Sequence, residues 1–123
     1  MPSLLLVEDD HDLCEVLVHL LKGFRCRILQ AESGEEALKI LASEKVQFIV
    51  SDMRLPEMDG LQFLMSCRNN PKVADAQFIA LTGDSALAEQ AKSRGADDIL
   101  LKPFQLHTFR ALMSKYLGLS PQK

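Results

Sequence analysis

Apolar residues fall along this chain in two alternating textures. Short, nearly unbroken apolar runs occur at Leu4–Val7, Phe48–Val50, Phe78–Leu81 and Ile99–Leu101. Runs of that length without polar alternation predict strands buried on both faces, as in a parallel sheet. A fifth run, Cys26–Leu29, is more polar and predicts a strand at the sheet edge. Between these runs the apolar positions recur at helical spacing: Leu13, Leu17, Leu20 and Leu21; Ala37, Leu38 and Leu41; Leu61, Phe63 and Leu64; Leu87, Ala88 and Ala91; and Leu106, Phe109, Met113 and Tyr116. The punctuation agrees. Asp10 is placed to cap the first helix and Gly23 to stop it, while Ser33 and Glu36 have the spacing of a capping box. The third helix is expected from about Asp59 to Asn69, broken by Asn70-Pro71, and the fourth from about Ser85 to Arg94, closed by Gly95. Gly118 ends the fifth.

Five strands alternating with five helices through short connections predict an α/β fold. It is a doubly wound five-stranded parallel sheet, of order 2-1-3-4-5, with helices on both faces. The length of 123 residues suits one domain, expected over residues 1–118. Residues 119–123, with Ser120-Pro121, read as a tail or the start of a linker.

Composition narrows the function classes. A net charge of −3 with scattered basic residues gives no reason to expect direct nucleic-acid binding or attraction to an anionic membrane. No apolar run approaches the ~20 residues that span a bilayer, and Met1-Pro2-Ser3 opens without the features of a signal peptide. Cys14, Cys26 and Cys67 are odd in number and widely spaced, which argues against a disulfide framework or a zinc site and for reduced thiols in a cytoplasmic protein. His11, His19 and His107 share no metal-ligand spacing.

The candidate chemistry lies where strands end. In a parallel sheet all strand C-termini share one edge, and in this order the first and third strands flank the switch point where such folds bind ligands. The strands deliver Glu8 and Asp9, then Asp52, Thr82 and Lys102. Each has a plain alternative: Asp52 as a loop or cap residue, Thr82 as a helix-capping hydroxyl, Lys102 as a solvated charge. Their coincidence at matching strand ends is what stands out. Carboxylates so close need a counter-charge, and a hard cation with oxygen ligands, Mg²⁺, suits a site that keeps positions open for water and phosphate. An aspartate there can attack phosphorus and form an acyl phosphate, with the metal and a lysine neutralising the phosphoryl oxygens.

The motifs LLLVEDD, SDMRLPEMDG, ALTGD and LLKPF, in that order, resemble the receiver domain of two-component response regulators, over about residues 3 to 117. The resemblance implies the flavodoxin-like form of the fold and a cytoplasmic signalling phospho-acceptor, not an enzyme acting on a separate substrate. It implies that Asp52 takes a phosphoryl group from a sensor histidine kinase or a histidine phosphotransfer protein. Mg²⁺ would be held by Asp9, by Glu8 through water, by Asp52 and by the backbone carbonyl of Arg54. Thr82 would turn toward the phosphoryl group, Lys102 would contact it, and the Lys102–Pro103 peptide would be cis. The signal would leave through the face of the fourth helix, fifth strand and fifth helix, to an output domain, a partner protein or a phosphorylation-dependent homodimer.

One position departs from the family pattern. Ile99 stands where many receivers have an aromatic that rotates inward, which puts aromatic-coupled switching in doubt. Arg54 and Asp84, each two residues after a site residue, are expected to border the phosphate as an ion pair that hinders attacking water; two independent solvated charges are the alternative. Three rival readings fit the sequence less well. A phosphatase with an aspartate nucleophile would need an acid where Arg54 stands. A flavodoxin-like cofactor binder would need a Ser/Thr/Gly-rich loop where Glu8-Asp9-Asp10 stands. A receiver-like scaffold independent of phosphorylation is disfavoured by the intact acidic set.

Overall fold

A computed structural model describes residues 1–118, so the expected tail or linker at 119–123 lies outside the described residues. The elements run β1 (Ser3–Val7), α1 (His11–Leu21), β2 (Arg27–Ala31), α2 (Gly34–Ser43), β3 (Phe48–Asp52), α3 (Gly60–Asn69), β4 (Gln77–Thr82), α4 (Ser85–Ser93), β5 (Asp98–Leu101) and α5 (Leu106–Leu117). The five strands form one parallel sheet in the order β2-β1-β3-β4-β5, the order expected. The weaker run is indeed at the edge, although β2 begins at Arg27, whose N–H donates to the Pro2 carbonyl, one residue later than expected.

Side-chain alternation splits the core in two. Leu5, Val7, Ile49, Phe78 and Ala80 meet Ala37, Leu41, Phe63, Leu64 and Ala91, from α2, α3 and α4, on one face. Leu4, Leu6, Val50, Ile79 and Leu81 meet Leu17, Leu21, Phe109 and Met113, from α1 and α5, on the other. Strands that bury both faces read as continuous apolar runs, the pattern this chain shows.

The helix caps follow local chemistry with one exchange. Asp10 caps α1, its side chain accepting from the Asp12 and Leu13 N–H groups. Ser33 caps α2 by accepting from the Glu36 N–H; the two-way capping box occurs instead at α3, between Asp59 and Gln62. Gly118 closes α5 in the left-handed region, at φ 68.

Two ends of the fold differ in how firmly they are held. Arg68, at the last turn of α3, donates to the carbonyls of Ala74, Ala76 and Gly95 and to the Asp97 carboxylate. Asp97 in turn accepts from the Phe78 N–H. That network pins the α4–β5 turn. Helix α4 itself buries only Ala88 and Ala91 fully, with Leu87 partly covered, so its body is lightly attached.

Candidate phosphoryl-acceptor and metal site

Strand register assembles the site. Val7 pairs with Ser51, so the next residue of each strand, Glu8 and Asp52, leaves the sheet side by side. Thr82 is the last residue of β4 and pairs with Leu101, so Lys102 emerges beside it. The backbone carries the alignment past the strands: the Met53 N–H donates to the Leu81 carbonyl and the Lys102 N–H to the Thr82 carbonyl.

Glu8, Asp9 and Asp52 each offer a carboxylate oxygen, and these lie within 4.8 Å of one another. Asp9 is exposed, whereas the Glu8 side chain is fully out of water and that of Asp52 is 10% exposed. The Lys102 ammonium bridges the buried pair, at 3.1 Å from Glu8 Oε1 and 3.3 Å from Asp52 Oδ2. The peptide that follows, Lys102–Pro103, is cis as expected.

The titration of the site follows from this geometry. Burial, and then the charge of Asp52, push the Glu8 carboxyl up to about 7, against the hydrogen bond and charge of Lys102 and the Asp10 N–H. Burial also works against the Lys102 charge, but the Glu8 hydrogen bond and the Asp52 and Glu8 charges outweigh it and raise its pKa. One ammonium thus does not fully balance two buried carboxylates. Glu8, Asp9 and Asp52 are the residues that could hold a further cation, and their all-oxygen donors suit a hard one.

Around this centre, each remaining site residue has an assigned partner. Thr82 Oγ1 accepts from the Asp84 N–H at 3.1 Å, which leaves the hydroxyl proton free to donate elsewhere. The Arg54 N–H donates to Asp52 Oδ1 at 3.3 Å, fixing one carboxylate oxygen. The Arg54 side chain meets Asp84, Nη2 to Oδ2 at 3.2 Å, so the expected ion pair is formed. Ile99 is partly buried against the core and lines a shallow surface groove with Ala88 and Leu101. Of the histidines, His11 pairs with Glu32 and stands apart from the acidic cluster.

Two features were not read from the sequence. The Glu8–Lys102 bond joins residues 94 apart, a pairing no local pattern announces. Gly60, which opens α3, lies so close to the site loop that a Cβ there would meet Met53 Cα at 2.4 Å. The start of α3 is where it was expected, with Asp59 as its N-cap in a capping box with Gln62.

With this geometry described, the relatives can be placed. Residues 4–114 match the family model of the response regulator receiver domain. The chain belongs to the response regulator receiver family. It is 38% identical over 98 residues to the Probable chemotaxis protein CheY of Rhizobium etli, covering 78% of this chain and 75% of that protein. It is 34% identical to the response regulator protein FleR of Pseudomonas aeruginosa over 97% of this chain, which spans only 25% of that relative. Among solved structures, the chemotaxis response regulator CheY4 of Vibrio cholerae superposes with a TM-score of 0.86 at 26% identity, covering 95% of this chain and 99% of that one. The receiver domain of a sensor histidine kinase from Pseudomonas aeruginosa shares the fold, with a TM-score of 0.84 at 24% identity over 96% of this chain and 98% of that one. That structure carries a magnesium ion in its active site cleft. Relatives thus include a probable chemotaxis protein, a transcriptional regulatory protein and a histidine kinase, the last two matched over 26% and 8% of their lengths. No helix among the described residues is long and apolar enough to cross a membrane.

Proposed function

We propose that this receiver domain, residues 1–118, accepts a phosphoryl group on Asp52 from a phosphohistidine of a sensor kinase or phosphotransfer protein in the cytoplasm, with Mg²⁺ bound by Glu8, Asp9 and Asp52. The observation that carries the reading is the under-neutralised cluster: three carboxylates within 4.8 Å of one another beside a single lysine, with Asp9 exposed at its edge. The metal, when bound, neutralises phosphoryl oxygens. The Arg54 backbone carbonyl completes the proposed ligand set.

The chain's own residues supply the rest. The Arg54 N–H on Oδ1 and Lys102 beside Oδ2 orient the Asp52 carboxylate, one oxygen of which attacks the donor phosphorus. A P–O bond forms as the P–N bond to the donor imidazole breaks, and the departing imidazole takes up a proton. The product is an aspartyl phosphate. Lys102 then pairs with one phosphoryl oxygen, and the Thr82 hydroxyl donates to another. Water attacking phosphorus later releases inorganic phosphate and restores the carboxylate. The signal passes through α4, β5 and α5 to an output domain, a protein partner or a second copy of the chain.

The direct test of this site uses beryllofluoride, a phosphoryl mimic. With Mg²⁺ it should shift amide resonances around Asp52, Thr82 and Lys102, and Asp52→Asn should abolish the shift. No binding by a folded wild-type protein would overturn the reading.

Three further outcomes follow. Mg²⁺ must displace the Glu8 proton, because a metal ligand has to be ionised. Glu8 titrates at about 7, so affinity should climb as pH rises, by about tenfold per unit well below 7 if one proton is released, and level off above it. Calorimetric titration across pH 5.5 to 8, roughly the window of that release, checks this; a flat profile would show that Glu8 is ionised already.

Lys102→Met removes the fixed positive charge beside Asp52 and should slow phosphorylation by acetyl phosphate about 100-fold or more. Unchanged rates would assign the neutralisation to the metal alone.

Arg54 borders the acceptor, and we assign it a part in phosphoryl lifetime. Its side chain is exposed, so Arg54→Ala should speed dephosphorylation only up to about fivefold. Unchanged decay would remove that role.

A further inference from the structure

We propose that the Arg54–Asp84 ion pair is a latch on α4, released when a phosphoryl group on Asp52 draws Arg54 away, so that α4 pivots about its opposite end. The inference rests on the phospho-acceptor reading and adds to it a coupling route that needs no aromatic at position 99.

Asp84 holds three ties. Its Oδ1 caps α4 by accepting from the Ala86 and Leu87 N–H groups, and its Oδ2 accepts from Arg54 Nη2. Its own N–H donates to Thr82 Oγ1. Arg54 in turn touches the acceptor with its backbone, through the N–H bond to Asp52 Oδ1, and touches the α4 cap with its side chain. One residue therefore spans from the phosphorylation point to the helix.

That end of α4 is otherwise lightly held, by the Asp84 N–H bond to Thr82 and by Leu87 packed against the core. The space between the helix and the β3–α3 loop is an open cleft, lined by Arg54, Leu55, Leu61, Asp84, Leu87 and Gln90. The other end is tied down: Arg68 donates from Nε and Nη2 to the Gly95 carbonyl, at 3.0 and 2.7 Å, and from Nη2 to Asp97. Gly95 sits at φ 110, a conformation that favours glycine, with Arg68 Nε packed where a Cβ would be. A helix fixed at its C-terminal turn, and held at its N-terminus by the Asp84 ties and the light packing of Leu87, has a hinge and a latch.

Charge decides which partner Arg54 takes. A phosphoryl group brings roughly −1.5 to −2 charge and several strong acceptor oxygens, and a guanidinium pairs with it through two parallel bonds. The Asp84 carboxylate offers a single exposed contact, with the Arg54 side chain 71% exposed. Such pairs are nearly balanced against water, so a stronger anion on Asp52, which the Arg54 backbone already touches, wins. After the exchange, Asp84 has one anchor fewer, so its cap on Ala86 and Leu87 opens more often while the rest of α4 stays helical.

Amide hydrogen exchange in the first turn of α4, at Ala86 to Ala88, tests the latch. The variants are Arg54→Met and Asp84→Asn; asparagine is an equally good cap, so only the charge pairing is lost. Without ligand, each variant should raise exchange there about three- to fivefold, and the double variant no further, with α5 unaffected. Mg²⁺ and beryllofluoride should produce the same rise in the wild-type protein and little more in the variants. Wild-type exchange in both unliganded variants, or a full response to beryllofluoride in them, would overturn the latch. If beryllofluoride fails to bind wild-type protein, the phospho-acceptor reading and the release step fall together, while the unliganded comparison still decides whether the pair restrains α4.

Discussion

Asp52→Asn is expected to abolish phosphoryl uptake completely while leaving the fold as stable as before, or more so. The substitution is isosteric. Asparagine keeps an oxygen for the Arg54 N–H but has no anionic oxygen to attack phosphorus. The stability argument runs from the same charges. Asp52 is one of the two causes that raise the Glu8 pKa, burial being the larger, so its neutralisation relieves part of that repulsion and returns Lys102 to Glu8 alone. The Glu8 titration should move down from about 7, though not to its ordinary value, because burial remains. Thermal unfolding and a carboxyl titration by NMR read both effects. A large loss of stability would mean that Asp52 serves the fold rather than the chemistry.

Gly60→Ala should be the most damaging single-methyl change near the site. At an open helical position alanine is the better residue, by about 1 kcal/mol. Here the added Cβ would lie 2.4 Å from Met53 Cα, 2.8 Å from Met53 O and 2.9 Å from Met53 C, all backbone atoms that cannot rotate away. The Gly60 N–H also donates to that Met53 carbonyl, at 3.0 Å, so the contact cannot open without breaking the bond. Overpacking against backbone outweighs helix propensity, with a net loss of about 3 kcal/mol or more. For a domain of this size that lowers Tm by roughly 10 °C. Met53 follows Asp52 directly, so Mg²⁺ affinity should fall with stability. Unchanged Tm would show that α3 can shift outward freely.

How far the sequence reaches is best seen at Glu8 and Asp52. Each lies at the end of an apolar run, and the parallel arrangement brings such ends to one edge, so their meeting followed from pattern alone. The Arg54–Asp84 pair was legible for a similar reason, since each residue sits two places beyond a strand-end site residue. What depended on depth rather than order was not legible. The raised titration of Glu8 comes from complete burial of a side chain that the sequence shows only as the first of three acids. The Met53–Gly60 contact depends on the path of a loop that passes through Glu57 at φ 67, an uncommon conformation for a residue other than glycine. The Ser33–Glu36 box had the right letters, yet only its Ser33 half forms, while Asp59 and Gln62 complete theirs. Spacing permits a cap; side-chain freedom at an exposed end decides whether it closes.

The central claim is that the nucleophile is the Asp52 carboxylate, and its location can be measured directly. After incubation with acetyl phosphate and Mg²⁺, the acyl phosphate is reduced with borohydride and the protein cut after lysine and arginine. Cleavage after Lys45 and Arg54 releases the segment from Val46 to Arg54, in which Asp52 is the sole carboxylate. The account predicts a reduced side chain in that segment, at Asp52, present with Mg²⁺ and absent with chelator. An unmodified segment, or a reduced residue at Glu8 or Asp9 instead, would contradict it.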